Sequence, residues 1–269
     1  MKKLMFAAAL AASLTGLADI TSANTVGYIS RDIEAETFYM VAAQFENVGE
    51  DAVADFNKVI SLKNIKAVSI DDAVKSGAEI QVRVGSKYNH YYYINDAWDE
   101  HDEEVAGDVW ADGEGYIITE ADLLALGDGF WFVAHGDSAS AGASITVNGE
   151  VSSANELGKD VAGTTEGWFS IVANPFPMGT DLNKITTTGL TAVSIDDAVK
   201  SGNEIQVRYG SKYNHYYYIN DAWDEHDEEV PGDVWADGEG YIVTDADIIA
   251  AGSSFWVNGR QNGKLIFTK

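Results

Sequence analysis

The sequence contains no cysteine, which rules out a disulfide framework, a thiol nucleophile, a thiolate metal ligand and a cysteine-linked lipid. Positive charge is scarce as well: 17 lysines and arginines stand against 43 acids, a formal charge of −26 at neutral pH. This balance excludes a nucleic-acid ligand, because phosphate recognition needs a basic face, and it disfavours anionic membrane surfaces. The deficit is concentrated in two places. No lysine or arginine lies between Lys87 and Lys159 or between Lys212 and Arg260, and 15 acids fall in the first interval.

The third absence is a long apolar run. A bilayer-spanning helix needs ~20 apolar residues. The apolar stretch 4–14 is interrupted by Ser13, Thr15 and Gly16 well before that length. With Lys2 and Lys3 ahead of it and small residues behind it, residues 1–23 read as an export signal cut after Ala18 or Ala23. The expected mature chain therefore has no membrane span and is secreted, periplasmic or held at the cell surface.

Catalytic signatures are missing too. There is no Gly-x-Ser-x-Gly elbow, no His-Glu-x-x-His and no phosphate loop, and the glycine-containing run 258–264 has the wrong spacing for one. These gaps point away from an enzyme.

What the sequence does contain is itself, twice. Residues 67–122 recur as residues 192–247 with five differences in 56 positions: Ala78/Asn203, Val84/Tyr209, Ala106/Pro231, Ile118/Val243 and Glu120/Asp245. The flanks match more loosely, Phe38-Tyr39-Met40-Val41-Ala42-Ala43-Gln44-Phe45 against Trp168-Phe169-Ser170-Ile171-Val172-Ala173-Asn174-Pro175-Phe176, and Phe130-Trp131-Phe132-Val133 against Phe255-Trp256-Val257-Asn258. A unit this long exceeds a solenoid repeat and is large enough for its own core. The expected division is residues 24–151 and residues 152–269, with a short polar join at 152–163 and an internal loop at 136–144.

Within each unit the apolar period is two. Glu79-Ile80-Gln81-Val82-Arg83-Val84 alternates, Gly85-Ser86 is a two-residue turn signal, and residues 88–94 return as a partner strand. In that register Ile80, Val82 and Val84 share a face with Asn89, Tyr91 and Tyr93. A second turn at Asn95-Asp96 is expected to bring the chain back through Ala97 and Trp98 as a third strand. Further strands are expected at 116–119, 130–133, 144–151 and 265–268, with short helices at 71–76 and after the capping-box run Thr119-Glu120-Ala121-Asp122. The fold class that follows is all-β: two tandem homologous antiparallel sandwich-like or barrel-like modules with short helical turns.

The order of an export signal, Asn24-Thr25-Val26-Gly27-Tyr28, Tyr39-Met40-Val41-Ala42-Ala43-Gln44-Phe45, a Tyr-rich strand, a Trp-containing turn and Gly129-Phe130-Trp131-Phe132 resembles bacterial secreted β-repeat proteins. In that group a Gly-Phe-Trp-Val-like strand closes each repeat and a Val-Ala-Asn-Pro-Phe-like strand, here residues 172–176, opens the next. The resemblance implies secretion and a β fold, and no catalytic or binding residue.

Chemistry concentrates in the acidic aromatic loop 95–115 and its duplicate 220–240. Asp96, Asp99 and Asp102, with Asp221, Asp224 and Asp227, have the oxygen density that a hard cation such as calcium requires, although the order is not that of an EF-hand. The competing reading is a solvated acidic surface. Zinc is a weaker idea, through His90 and His101 or His215 and His226. Tyr92, Trp98 and Trp110, with Tyr217, Trp223 and Trp235, offer rings for the apolar face of a sugar beside carboxylates for its hydroxyls. The function expected is a secreted, non-enzymatic binding or structural component with calcium, a glycan or another copy of itself as partner. The alternative is a carbohydrate-binding or carbohydrate-active protein using the same loops.

Overall fold

The computed structural model describes residues 25–47, 53–118, 124–243 and 248–269. The export signal and the capping-box runs at 119–122 and 244–247 lie outside the described residues. The protein is all-β and built as two modules.

The first module comprises β1 (Thr25–Asp32), β2 (Tyr39–Ala42), β3 (Val53–Ala54), β4 (Ile60–Ile65), β5 (Ala78–Val84), β6 (Lys87–Ile94), β7 (Val109–Asp112), β8 (Leu124–Ala125), β9 (Gly129–Ala134) and β10 (Ala139–Val151). The second comprises β11 (Glu156–Val161), β12 (Trp168–Ala173), β13 (Thr186–Thr188), β14 (Glu204–Tyr209), β15 (Lys212–Ile219), β16 (Val234–Ala236), β17 (Ser254–Gly259) and β18 (Gly263–Thr268). Each has a five-stranded antiparallel sheet, β2-β9-β5-β6-β7 or β12-β17-β14-β15-β16, and a three-stranded one, β1-β10-β4 or β11-β18-β13. A short β3–β8 pair completes the first module.

Alternation along β5 and β6 decides what each face does. The pairing Ile80↔Tyr91, Val82↔Asn89 and Val84↔Lys87 is the register that a two-residue Gly85-Ser86 turn imposes. Ile80 and Tyr91 therefore join Trp110, Phe130 and Phe132 in the core of the first module. Phe56, on a one-turn helix, sits at its centre, 5.5 Å from the rings of both Tyr91 and Phe130. Burying one such ring contributes about 2 kcal/mol. The second module has a separate core around Leu182, Ile205, Trp235 and Phe255. The opposite face of each sheet carries the short helix Ile70–Ser76 or Ile195–Ser201, seated on Tyr92, Ile94 and Ala111 or their counterparts. Gly77 ends the first of these helices, since a Cβ there would lie 2.7 Å from the Ala73 carbonyl oxygen.

Five sequence expectations are corrected. The third strand of the meander is β7, pairing Tyr93 with Trp110, and not residues 97–98. Residues 139–144 belong to strand β10 rather than to a loop, and half of the expected join, residues 156–161, is strand β11. Leu124–Ala125 is a strand where a helical turn was expected. Tyr116 and Ile117 form only isolated bridges, to Trp98 and Ala111.

The modules pack on each other as near-equivalents. Ala42 N donates to the Gly252 carbonyl at 3.1 Å, and the matching Ala173 N donates to the Gly127 carbonyl at 2.8 Å. Arg83 lies over the Trp256 ring at 5.4 Å, and Arg208, its counterpart, lies over Trp131 at 5.3 Å. Such reciprocal contacts are those of a two-fold homodimer interface, here within one chain.

Candidate functional site

The acidic loop leaves β6 at Asn95 and returns at β7. Its aspartates act as acceptors for protein donors: a helix amide, a tyrosine hydroxyl and amides of the loop itself. Asp96 Oδ1 accepts from Ile70 N at 2.9 Å and so caps the short helix from outside; Asp221 does the same for Ile195 N at 2.8 Å. Asp99 Oδ1 accepts from His101 N and Glu103 N at 2.8 and 2.9 Å, closing a tight Asx turn. Asp224 repeats this with His226 N and Glu228 N at 2.8 and 2.9 Å. Those backbone bonds hold both carboxyls below their usual pKa range, the Glu103 and Glu228 amides having the largest effect. Asp102, in the left-handed region at φ 59°, accepts from the Tyr116 hydroxyl at 2.8 Å, as Asp227 does from Tyr241. That hydrogen bond pushes both phenols above their ordinary range.

The sequence-predicted cation ligands thus have three separate tasks: Asp96 and Asp221 cap helices, Asp99 and Asp224 close turns, and Asp102 and Asp227 anchor tyrosines. Among the described residues no three His, Asp or Glu side chains are grouped to hold a metal ion. His90 and His101 do not come together as a zinc pair; His90 bonds Glu79 and His101 lies beside Glu100.

The predicted aromatic face is also redistributed. Trp110 and Trp235 are 1% exposed and belong to the core, because alternation from Tyr93 and Tyr218 turns them inward. Tyr92 and Tyr217 are buried under the short helices. Trp98 and Trp223 alone of the six stay at the surface, each 43% exposed. Beside each, through a parallel backbone bridge, stands Tyr116 or Tyr241, each 37% exposed. Trp98 is held by its own backbone, N to the Gly115 carbonyl at 3.0 Å and O from Ile117 N at 2.8 Å. The result is a Trp–Tyr pair next to Asp102 and Asp112, and the same arrangement next to Asp227 and Asp237.

A second cluster escaped the sequence reading. Glu79, on the polar face of β5 and 5% exposed, is bonded by His90 Nδ1 at 2.5 Å, Gln81 Nε2 at 3.1 Å and His135 Nε2 at 3.0 Å. The other His135 nitrogen meets Glu36 at 3.2 Å. Burial lowers the His135 pKa, but the bonds and charges of Glu79 and Glu36 outweigh it and the net shift is upward. In the second module Glu204 keeps the histidine, His215 at 2.5 Å, while Asn258 Nδ2 at 3.3 Å and Arg260 stand near where the first module has Val133 and His135. The available signal was a glutamate diagonal to a histidine across the Gly85-Ser86 hairpin, Glu79 facing Tyr92 and His90 facing Gln81; His135, 45 residues further on, carries none.

No protein-family profile matches the chain, and no curated protein matches it.

Proposed function

We propose that this chain is an exported, non-enzymatic binding and structural protein that displays two equal aromatic–carboxylate patches, Trp98–Tyr116 and Trp223–Tyr241, to an extracellular glycan. The observation that carries this reading is the identical exposure of the two pairs, 43% and 37% in each copy, on loops held by identical backbone bonds. Large apolar rings left in water on rigid supports are contact surfaces rather than core. A flat ring beside carboxylates suits the two chemistries of a pyranose, its CH face and its hydroxyls. Two linked copies bind a repeating polymer with avidity that neither has alone.

Calcium enters this reading as a diffusely held counter-ion of the acidic loops, because Oδ1 of Asp96, Asp99 and Asp102 is each committed to a protein donor. Among the described residues no helix is long and apolar enough to cross a membrane.

The test is depletion of the protein from solution by insoluble neutral polysaccharides. Trp98→Ala and Trp223→Ala should each weaken retention, and the double variant should lose it. Retention of the double variant at the wild-type level, or no retention of the wild type on any polymer, would refute the reading. Amino-terminal sequencing of protein recovered outside the cytoplasm tests export, with a start after Ala18 or Ala23 expected.

A further inference from the structure

Two clefts open beside the module junction at equivalent positions. The first, about 250 Å³, is lined by Arg31 and Arg208, by Ser253, and by Phe38, Tyr39 and Met40. The second, about 440 Å³, has Arg83 where the first has Arg208, Phe169 in the place of Phe38, and Asp128 in the place of Ser253; its other cation is Lys159, and Asp160, which also lines it, is paired with Lys264 at 3.2 Å.

The charge is balanced differently in the two. In the second cleft Lys159 Nζ forms an ion pair with Asp128. In the first, the matching position is a serine whose hydroxyl accepts from Arg31, so that cation is left without a counter-charge. No Asp or Glu lines this cleft, and among the described residues neither Arg31 nor Arg208 has an ion-pair partner. Their remaining partners are neutral: Arg31 donates to the Met40 carbonyl at 3.0 Å, and Arg208 to the carbonyls of Gly210 at 2.8 Å and of Phe38. Burial pushes the Arg31 pKa below its usual range, with Tyr39 opposing that. A partly desolvated cation without a counter-ion is costly, and a bound anion relieves the cost. In a chain of charge −26, two unpaired guanidiniums facing one apolar-walled cleft stand out as a site.

We propose that the first cleft binds a small organic carboxylate with an aromatic or apolar body. Its carboxylate meets Arg31 and Arg208, and its body lies against Phe38, Tyr39 and Met40. Asp128 occupies the corresponding place in the sister cleft and closes that one to anions. This site is separate from the Trp–Tyr patches and does not depend on them.

Calorimetric titration of the full chain with benzoate and with its neutral analogue benzamide, at fixed ionic strength, tests the assignment. The wild type should take up one benzoate and no benzamide. Ser253→Asp should weaken benzoate at least tenfold, since it installs the carboxylate that position 128 already holds; both positions donate N–H to the alanine three residues back. If that variant fails to fold, Arg208→Gln reads the same loss. Asp128→Ser should raise the count from one site to two. No saturable benzoate binding, equal binding of benzamide, unchanged affinity in Ser253→Asp or a single site in Asp128→Ser would each overturn the proposal.

Discussion

Trp131 and Trp256 occupy the same position in the two copies and touch each other, their ring centroids 6.3 Å apart and their planes at 55°. With the reciprocal contacts around them, this self-contact marks a two-fold relation, and the pseudo-symmetry axis passes between these two indoles. Around it the arginines cross over, each stacking on the other module's tryptophan. The halves therefore act on each other's stability, and the chain should unfold as one unit more readily than as two.

Gln44 is the sharpest test of that coupling. It is 1% exposed and crosses the junction with both ends of its amide: Nε2 donates to the Asn174 and Phe176 carbonyls at 2.7 Å each, and Oε1 accepts from Gly252 N at 2.8 Å. Gln44→Ala leaves three buried backbone groups without that partner and should cost about 3 kcal/mol in urea unfolding. A loss below ~1 kcal/mol would mean that water replaces the amide at no net cost.

Close packing at the same junction makes Gly129 intolerant of a side chain. A Cβ there would sit 2.3 Å from Ile171 Cγ2 and 2.5 Å from Ser254 Cβ, both in the other module. Gly129→Ala should destabilise by about 1–3 kcal/mol, the cost of overpacking, measured as a shift in denaturation midpoint with unchanged slope.

His135 gives the first module a pH dependence that the second lacks, because Arg260 stands in its place. Its folded pKa lies above the ordinary value of about 6.5 through its bonds to Glu79 and Glu36, which exceed the opposing effect of burial. The stabilisation is thus complete below the unfolded value and lost as the pH rises through the folded one. His135→Gln should therefore differ most from wild type at mildly acidic pH and converge on it above neutrality. A stability gap that widens with rising pH would contradict this.

Much of the fold was legible because strand alternation is a local signal. The turn at Gly85-Ser86 and the register of Ile80 against Tyr91 follow from period two and a two-residue loop. The third strand was missed since Trp98, although apolar, spends its backbone on Gly115 and Ile117, while β7 lies beyond a long polar excursion. The module junction left almost no trace. It is built on Ala42, Ala173, Gly127 and Gly252, small residues chosen by close backbone approach, which hydrophobic patterning does not register. The loop aspartates were legible as a cluster and illegible as individuals, because their partners differ in kind: a helix amide 26 residues away for Asp96, a tyrosine hydroxyl for Asp102, and nearby backbone amides for Asp99 and Asp112.

Those partners separate turn-building from cation-binding at Asp99 and Asp224. Asparagine at both positions keeps Oδ1 as an acceptor for the His101 and Glu103 amides and their counterparts, whereas alanine removes it. The double alanine variant should melt clearly below wild type, with the double asparagine variant between them. Because the folded carboxyl pKa is depressed, the charge-dependent part of this stabilisation is present above the ordinary carboxylate range and lost as the pH falls through the folded value. The gap between wild type and asparagine should accordingly shrink in acid. Calcium supplies the independent arm. A chelated ion raises the melting temperature by mass action at fixed ionic strength and is lost on replacing a ligand, while a diffuse counter-ion is matched by sodium chloride. With Oδ1 of each aspartate already bonded to backbone, sodium chloride of equal ionic strength should reproduce most of the calcium effect, and the asparagine variant should respond to both salts as wild type does. A calcium-specific rise in melting temperature that disappears in the asparagine variant would instead establish a chelated site in each loop.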